Sequence, residues 1–265
     1  MIKLLGVPYD GNSSFLKGPA YAPPRIRQAD KDGSANSFAE NMLEIREGMN
    51  YIDLGDLIFN NCTPDKAFVV INRAVTKHIE NGEKLLCLGG DHSVTYPIID
   101  AFSAKYDNLN ILHLDAHGDL YDNYEGNPYS HASPFARIME QGKVRSLTQV
   151  GIRTLNPHQK AQADKFGVQV IQMQHFNFDF IQQLEGPLYI SLDIDVLDPA
   201  FAPGISHHEP GGLSTRDVIR IIQSIGVPVV GADIVEYNPV RDLHNMTAMV
   251  AYKFLKEIIA KMAER

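Results

Sequence analysis

Short apolar runs recur along the chain at residues 3–7, 84–88, 110–114, 147–152, 168–172, 188–192 and 228–235. Most lack strict apolar–polar alternation, the pattern of strands covered on both faces. Between the runs the period becomes helical. Pro64–Glu80 carries Ala67, Val70, Ile71, Ala74, Val75, His78 and Ile79 at helical spacing, with Thr63 as a cap and Pro64 in the first turn. Ser214-Thr215-Arg216-Asp217 has the form of a capping box ahead of Val218, Ile221 and Ile222. From about Asn245 onward, Met246, Met249, Val250, Phe254, Leu255, Ile258, Ile259 and Met262 form one apolar face at the helical period. Strands alternating with helices predict an α/β fold: a three-layer single domain over residues 1–265, with a mostly parallel sheet between helices. In such folds functional groups gather at the carboxyl ends of the strands.

Composition narrows the picture. The 265 residues are 44% hydrophobic and 21% charged, enough apolar material for a sizeable core. A formal net charge of -8 disfavours nucleic acid as a partner and favours a small cationic one. Two cysteines, Cys62 and Cys87, make no disulfide framework, so a reducing, cytoplasmic setting is expected. Met1-Ile2-Lys3-Leu4-Leu5 runs directly into the first strand without a signal-peptide pattern. No apolar run reaches the roughly 18 residues of a membrane span, so no membrane partner is expected.

Three stretches carry the chemistry, and each follows a predicted strand. They are Gly89-Gly90-Asp91-His92-Ser93, Asp115-Ala116-His117-Gly118-Asp119, and Asp193-Ile194-Asp195-Val196-Leu197-Asp198-Pro199. In extended chain, residues two apart point the same way, so Asp115, His117 and Asp119 face one point, as do Asp193 and Asp195. Four carboxylates in one pocket cannot all stay ionised without positive charge. Two divalent ions would bring +4 against -4 from Asp115, Asp119, Asp193 and Asp195. Oxygen and imidazole donors without thiolate suit manganese best, then iron, cobalt or zinc. On chemistry alone either Asp91 or His92 serves as the ligand from the first stretch. His113 reads as a packed strand histidine, Asp198-Pro199 as turn chemistry, and Cys87 as a buried strand residue.

The segments GGDHS, DAHGD and SLDIDVLDPAFAPG resemble the three signature segments of the ureohydrolase family, which includes arginases and agmatinases. Residues 12–19, 22–27, 129–140, 206–214 and 235–239 extend the resemblance over nearly the whole chain, closest to plant-type arginases. The resemblance implies an arginase-like fold and two Mn2+ ions per subunit. One would be held by His92, Asp115, Asp119 and Asp193, and the other by His117, Asp115, Asp193 and Asp195. It makes Asp91 outer support, Glu236 the partner of the substrate guanidinium, and His131 a proton shuttle. It also implies a homotrimer or homohexamer.

A guanidinium ion is a poor electrophile, and two metals can lower the pKa of a shared water until hydroxide attacks it. The expected reaction is therefore hydrolysis of a guanidino substrate to urea and an amine. Arginine giving ornithine comes first, agmatine giving putrescine for polyamine synthesis second, and other guanidino acids third. The loop at 122–131 and the segment after Arg153 are expected to read the substrate tail, with Asn127 and Ser130 as polar contacts or turn residues. Two readings from other classes are a metal-dependent amide deacetylase and a non-catalytic metal or ligand sensor.

Overall fold

Among the described residues, eight parallel strands, one more than the apolar runs predict, form a single sheet in the computed structural model. The structure describes residues 1–264 apart from Ser34 and Asn61; these two and Arg265, all within the predicted domain, lie outside the described residues. The strands are β1 (Ile2–Gly6), β2 (Tyr51–Asp56), β3 (Lys84–Leu88), β4 (Asn110–Leu114), β5 (Ser146–Ile152), β6 (Gln169–Gln172), β7 (Leu188–Asp193) and β8 (Val229–Val235). Their order across the sheet is β2-β1-β3-β8-β7-β4-β5-β6, with every neighbouring pair parallel. The unpredicted strand is β2. Its sequence YIDLGD is half polar, and as an edge strand only Tyr51 is buried, so it carries no apolar run to betray it.

Helices cover both faces: α1 (Ala22–Lys31), α2 (Pro64–Glu80), α3 (Thr95–Lys105), α4 (Pro134–Glu140), α5 (Pro157–Phe166), α6 (Thr215–Ser224) and α7 (Met246–Ala263). The predicted α2 and α7 appear where their apolar faces place them, and α6 opens with the expected capping box. There Asp217 N donates to Ser214 Oγ (3.1 Å) and Ser214 N donates to Asp217 Oδ2 (3.0 Å). Thr63 stands at the N-cap of α2 but its side chain makes no capping bond; Pro64 alone marks the start.

The two apolar cores explain why the strands do not alternate. On β3, Leu86 and Leu88 pack with Ile26 of α1, Val218 of α6 and Ile258 of α7. Leu85 and Cys87 of the same strand pack on the opposite face with Ile71 of α2, Ile98 of α3 and Phe135 of α4. A strand sandwiched between helices buries both sets of side chains, so it reads as a continuous apolar run. The four central strands β3, β8, β7 and β4 are contiguous, and their carboxyl ends open side by side.

Candidate metal centre and active site

Each central strand delivers its functional groups through a turn of its own. After β3, Gly90 passes so close to the chain at Tyr9 that a Cβ would lie 1.9 Å from the Tyr9 carbonyl oxygen. Only glycine fits there. Asp91 then accepts from Asn12 N (2.9 Å), Ser13 Oγ (3.2 Å), Ser93 N (3.1 Å) and Ser93 Oγ (2.5 Å). Its oxygens are occupied in holding the amino-terminal segment, which is the outer-support position. His92 points the other way. Its Nε2 lies 3.0 Å from Ser191 Oγ, and that hydroxyl donates to Asp233 Oδ1 (2.8 Å). A hydroxyl spending its proton on a carboxylate leaves its lone pair for His92 Nε2–H, which directs Nδ1 forward.

Around that Nδ1 the Oδ2 atoms of Asp115, Asp119 and Asp193 each stand at 3.1 Å. Nδ1 itself has no hydrogen-bond partner among the described residues. A second cluster lies alongside, with His117 Nδ1 at 3.3 Å from Asp115 Oδ1 and 3.0 Å from Asp195 Oδ2. All six predicted ligands therefore converge, and Asp115 belongs to both clusters. The reason is not the expected extended alternation. β4 ends at Leu114 and Asp119 adopts φ 47°, while β7 ends at Asp193 and Asp195 sits in a 3-10 turn over Ile194–Val196. Tight turns, pinned by Asp195 N to Asp193 Oδ1 (2.7 Å) and Ala116 N to Asp195 Oδ1 (3.1 Å), bring the carboxylates together. Asp122, three residues beyond Asp119, takes no part; its exposed carboxylate pairs with His158 (3.1 Å).

Electrostatics identify what the centre requires. Asp115, Asp119, Asp193 and Asp195 are 0–7% exposed. Burial, then Asp195 and Asp115, push the Asp193 carboxyl well above the usual range; burial and Asp115 raise Asp195 too. Burial opposes a charge on His92, but Asp115, Asp119 and Asp193 outweigh it and hold the imidazole pKa well above its ordinary value. The three carboxylates thus converge on Nδ1 where a cation would balance their charge. Buried acids and two imidazoles with no thiolate fit hard or borderline divalent ions.

His113 is buried on β4, as predicted, but it does more than pack. It stacks on Phe135 (centroids 3.9 Å) and its Nε2 lies 2.7 Å from Asp115 Oδ2. Gln149 Nε2 donates to Gly118 O (2.6 Å) and faces His113 Nδ1 at 3.0 Å. Because that face of the amide is its donor, Nδ1 accepts and Nε2–H is the group given to Asp115.

The known proteins this chain resembles agree with the geometry. A family model described as "Arginase family" matches residues 1–260. "Arginase 1, mitochondrial" of Arabidopsis thaliana is 50% identical over 98% of this chain and 81% of its own length. The chain belongs to the arginase family. A solved arginase from Medicago truncatula superposes with a TM-score of 0.93 at 42% identity, covering 98% of this chain and 87% of the other. An agmatinase of Bacillus anthracis is 33% identical over 97% of this chain and 90% of its own length. This arginase-family chain is thus a hydrolase of the ureohydrolase class, whose members act on guanidino substrates.

In this family member a cavity opens in front of the two clusters, lined among others by His117, Asp119, Asp193, Asp195, His131 and Glu236. Glu236 follows β8 at φ 61°, a conformation a non-glycine residue rarely holds. Its Oε1 accepts from His92 N (2.8 Å) and pairs with His131 Nδ1 (2.8 Å). His131 is 8% exposed. Burial would lower its pKa, but Glu236 outweighs burial, helped by Asp91 and Asp119, and brings it to about 9. Asn127 and Ser130 are not part of the cavity lining. Asn127 Oδ1 accepts from Tyr129 N (2.9 Å) and its Nδ2 reaches Asn12 Oδ1 (3.3 Å); Ser130 Oγ accepts from Ala132 N (3.3 Å). Both side chains shape the turn that carries His131.

Several lining residues had not been assigned from sequence: Ser14, Tyr121, Tyr124, Gln159, His207 and Glu209. Ser14, His207 and Glu209 fall in segments that carry the family resemblance, but no spacing there marks a role, and only the tertiary arrangement brings all six to one wall. Asp233 was likewise passed over, although a carboxylate inside the apolar strand VVGADIV is a readable signal of buried polar work. His208 turns outward to Pro203 O (2.9 Å).

Proposed function

We propose that the protein hydrolyses L-arginine to L-ornithine and urea, with two manganese ions held by the six converged ligands. His92, Asp115, Asp119 and Asp193 would hold one ion, and His117, Asp115, Asp193 and Asp195 the other. Ions bound there supply positive charge and lower the pKa of water, making hydroxide available near neutral pH. Glu236 receives the guanidinium through a charge-assisted hydrogen bond. One of its oxygens already serves His131 and His92 N, so the other is the one turned to substrate. His131, held protonated by Glu236, gives its proton toward the leaving amine. The observation that carries this reading is the meeting of both clusters with the His131–Glu236 pair at one cavity.

Agmatine remains the second substrate, for a specific reason. The cavity lining includes no lysine or arginine. Arg153 lies close by, but its guanidinium is committed to the carbonyls of Gly151, Asp195, Val196, Leu197 and Glu209. The lining therefore offers the arginine α-carboxylate no lysine or arginine, whereas Glu209 can meet the ammonium that both substrates carry. Asn127 and Ser130 become substrate contacts only if the loop at 122–131 rearranges. Urea release from arginine and agmatine, measured side by side on manganese-loaded protein, tests the proposal. Dominant arginine turnover supports it, and dominant agmatine turnover moves the protein to polyamine synthesis. Silence on both with metal bound overturns it and returns the deacetylase and sensor readings.

A further inference from the structure

The segment Asn12-Ser13-Ser14 plays no part in the chemistry above, yet it is fastened to the site. Asn12 N and Ser13 Oγ donate to Asp91 Oδ2 (2.9 and 3.2 Å), Asn12 Nδ2 donates to Ser93 Oγ (3.1 Å), and Asn12 O accepts from His131 N (3.2 Å). This anchoring leaves Ser14 on the cavity wall with its Oγ 2.8 Å from His131 Nε2. The opposite nitrogen, Nδ1, is taken by Glu236 Oε1 at 2.8 Å. His131 is buried while Ser14 is exposed. The hydroxyl thus stands between the ring and open solvent.

We propose that the Ser14 hydroxyl relays protons between His131 Nε2 and the cavity, as the outer link of the chain Glu236–His131–Ser14. The inference rests on the ureohydrolase reading above. A hydroxyl accepts one proton while donating another, so serine gains no net charge. As the carbon–nitrogen bond breaks, its electron pair goes to the leaving nitrogen. That nitrogen takes the Oγ proton while Oγ takes the proton of Nε2. The imidazolium becomes imidazole, the amine is protonated, and serine is unchanged. The same path run from solvent restores the imidazolium. The groups facing His131 favour a donor: Glu236, Asp91 and Asp119 hold it protonated at neutral pH against the effect of burial. The other imidazole on this wall, His207, lies 5.4 Å away centroid to centroid. Burial, and then the charge of His131, lower its pKa, so it is neutral and no competing acid.

The test compares Ser14→Ala and Ser14→Thr with the wild-type full chain, loaded with manganese and assayed on arginine and agmatine. In Ser14→Ala, manganese content should match wild type and KM should hold within about two-fold. Its kcat should fall on the order of ten-fold or more, as for loss of a proton-transfer group. Added imidazole buffer should recover part of that rate, and Ser14→Thr should keep most of it. A Ser14→Ala enzyme within about two-fold of wild type in kcat, or a loss that neither buffer nor threonine relieves, overturns the relay. Wild-type silence on both guanidines would instead overturn the ureohydrolase reading. The 15N shift of His131 Nε2 in metal-free protein reads the contact independently of turnover, and an unchanged shift in Ser14→Ala also overturns the proposal.

Discussion

Each residue at the centre owes its role to what stands behind it. His92 presents Nδ1 because Ser191 and Asp233 occupy its other nitrogen, and Asp115 is steadied by His113 and by His117 N. His131 is the residue whose charge matters most outside the ligand set. Its pKa is raised from 6.5 to about 9 by Glu236 against the opposing effect of burial. A raised imidazole pKa stabilises the fold fully below the unfolded value and loses that contribution as pH climbs through the folded value. The stability difference between wild type and His131→Asn should therefore be largest near about pH 6 and shrink toward about pH 9.5. Denaturant titrations across that range check it, and a difference that grows with pH would contradict an imidazolium paired with Glu236. Since His131 is not among the metal ligands, His131→Asn should keep manganese, read by metal analysis. Its kcat should fall by about 100-fold or more.

Among the elements, the turns after the strands do the positioning, and backbone space is their limiting resource. The passage of Gly90 beside Tyr9 links three segments: Asp91 N donates to Tyr9 O (2.9 Å) and Glu236 N donates to Gly90 O (2.9 Å). A methyl group at Gly90 meets backbone, which cannot swing aside as a side chain can. Gly90→Ala should cost about 3 kcal/mol in unfolding free energy, in line with overpacked cores. It should also weaken manganese binding by roughly 10- to 100-fold through displaced support of His92. Calorimetry of metal binding beside denaturant unfolding checks both; an unaltered affinity would detach this turn from the centre. Asp119 and Glu236, both at positive φ, show the same strain for position at the ends of β4 and β8.

For the whole molecule, a cavity walled by repelling carboxylates is a debt of the metal-free fold. Cations that bind the native centre and not the unfolded chain should stabilise it by about 3 kcal/mol per site at a hundred-fold excess over Kd. At about 2–4 °C per kcal/mol for a chain of this size, chelation should lower Tm by several degrees. Scanning calorimetry with and without manganese checks this, and identical melting would argue against a metal centre. The family resemblance further leads us to expect a homotrimer or homohexamer. Sedimentation equilibrium would show three or six times the 29.5 kDa chain mass, and a single-chain mass would refute it.

The amino-acid sequence determined the three-layer architecture, seven of the eight strands, the α6 capping box and the six candidate ligand residues that converge. It could do so because these depend on local period and on motifs at strand ends. β2 escaped it because an edge strand needs no apolar run. The tertiary structure alone decided how the carboxylates meet, through turns at Asp119 and Asp195 and not through extended alternation. It also decided that Asn127 and Ser130 build a turn, that His113 and Asp233 brace the ligands, and that Ser14 closes on His131. These contacts join residues from separate strand ends and loops. Their geometry comes from the order of strands in the sheet and the packing of loops above it, neither of which leaves a periodic trace along the chain.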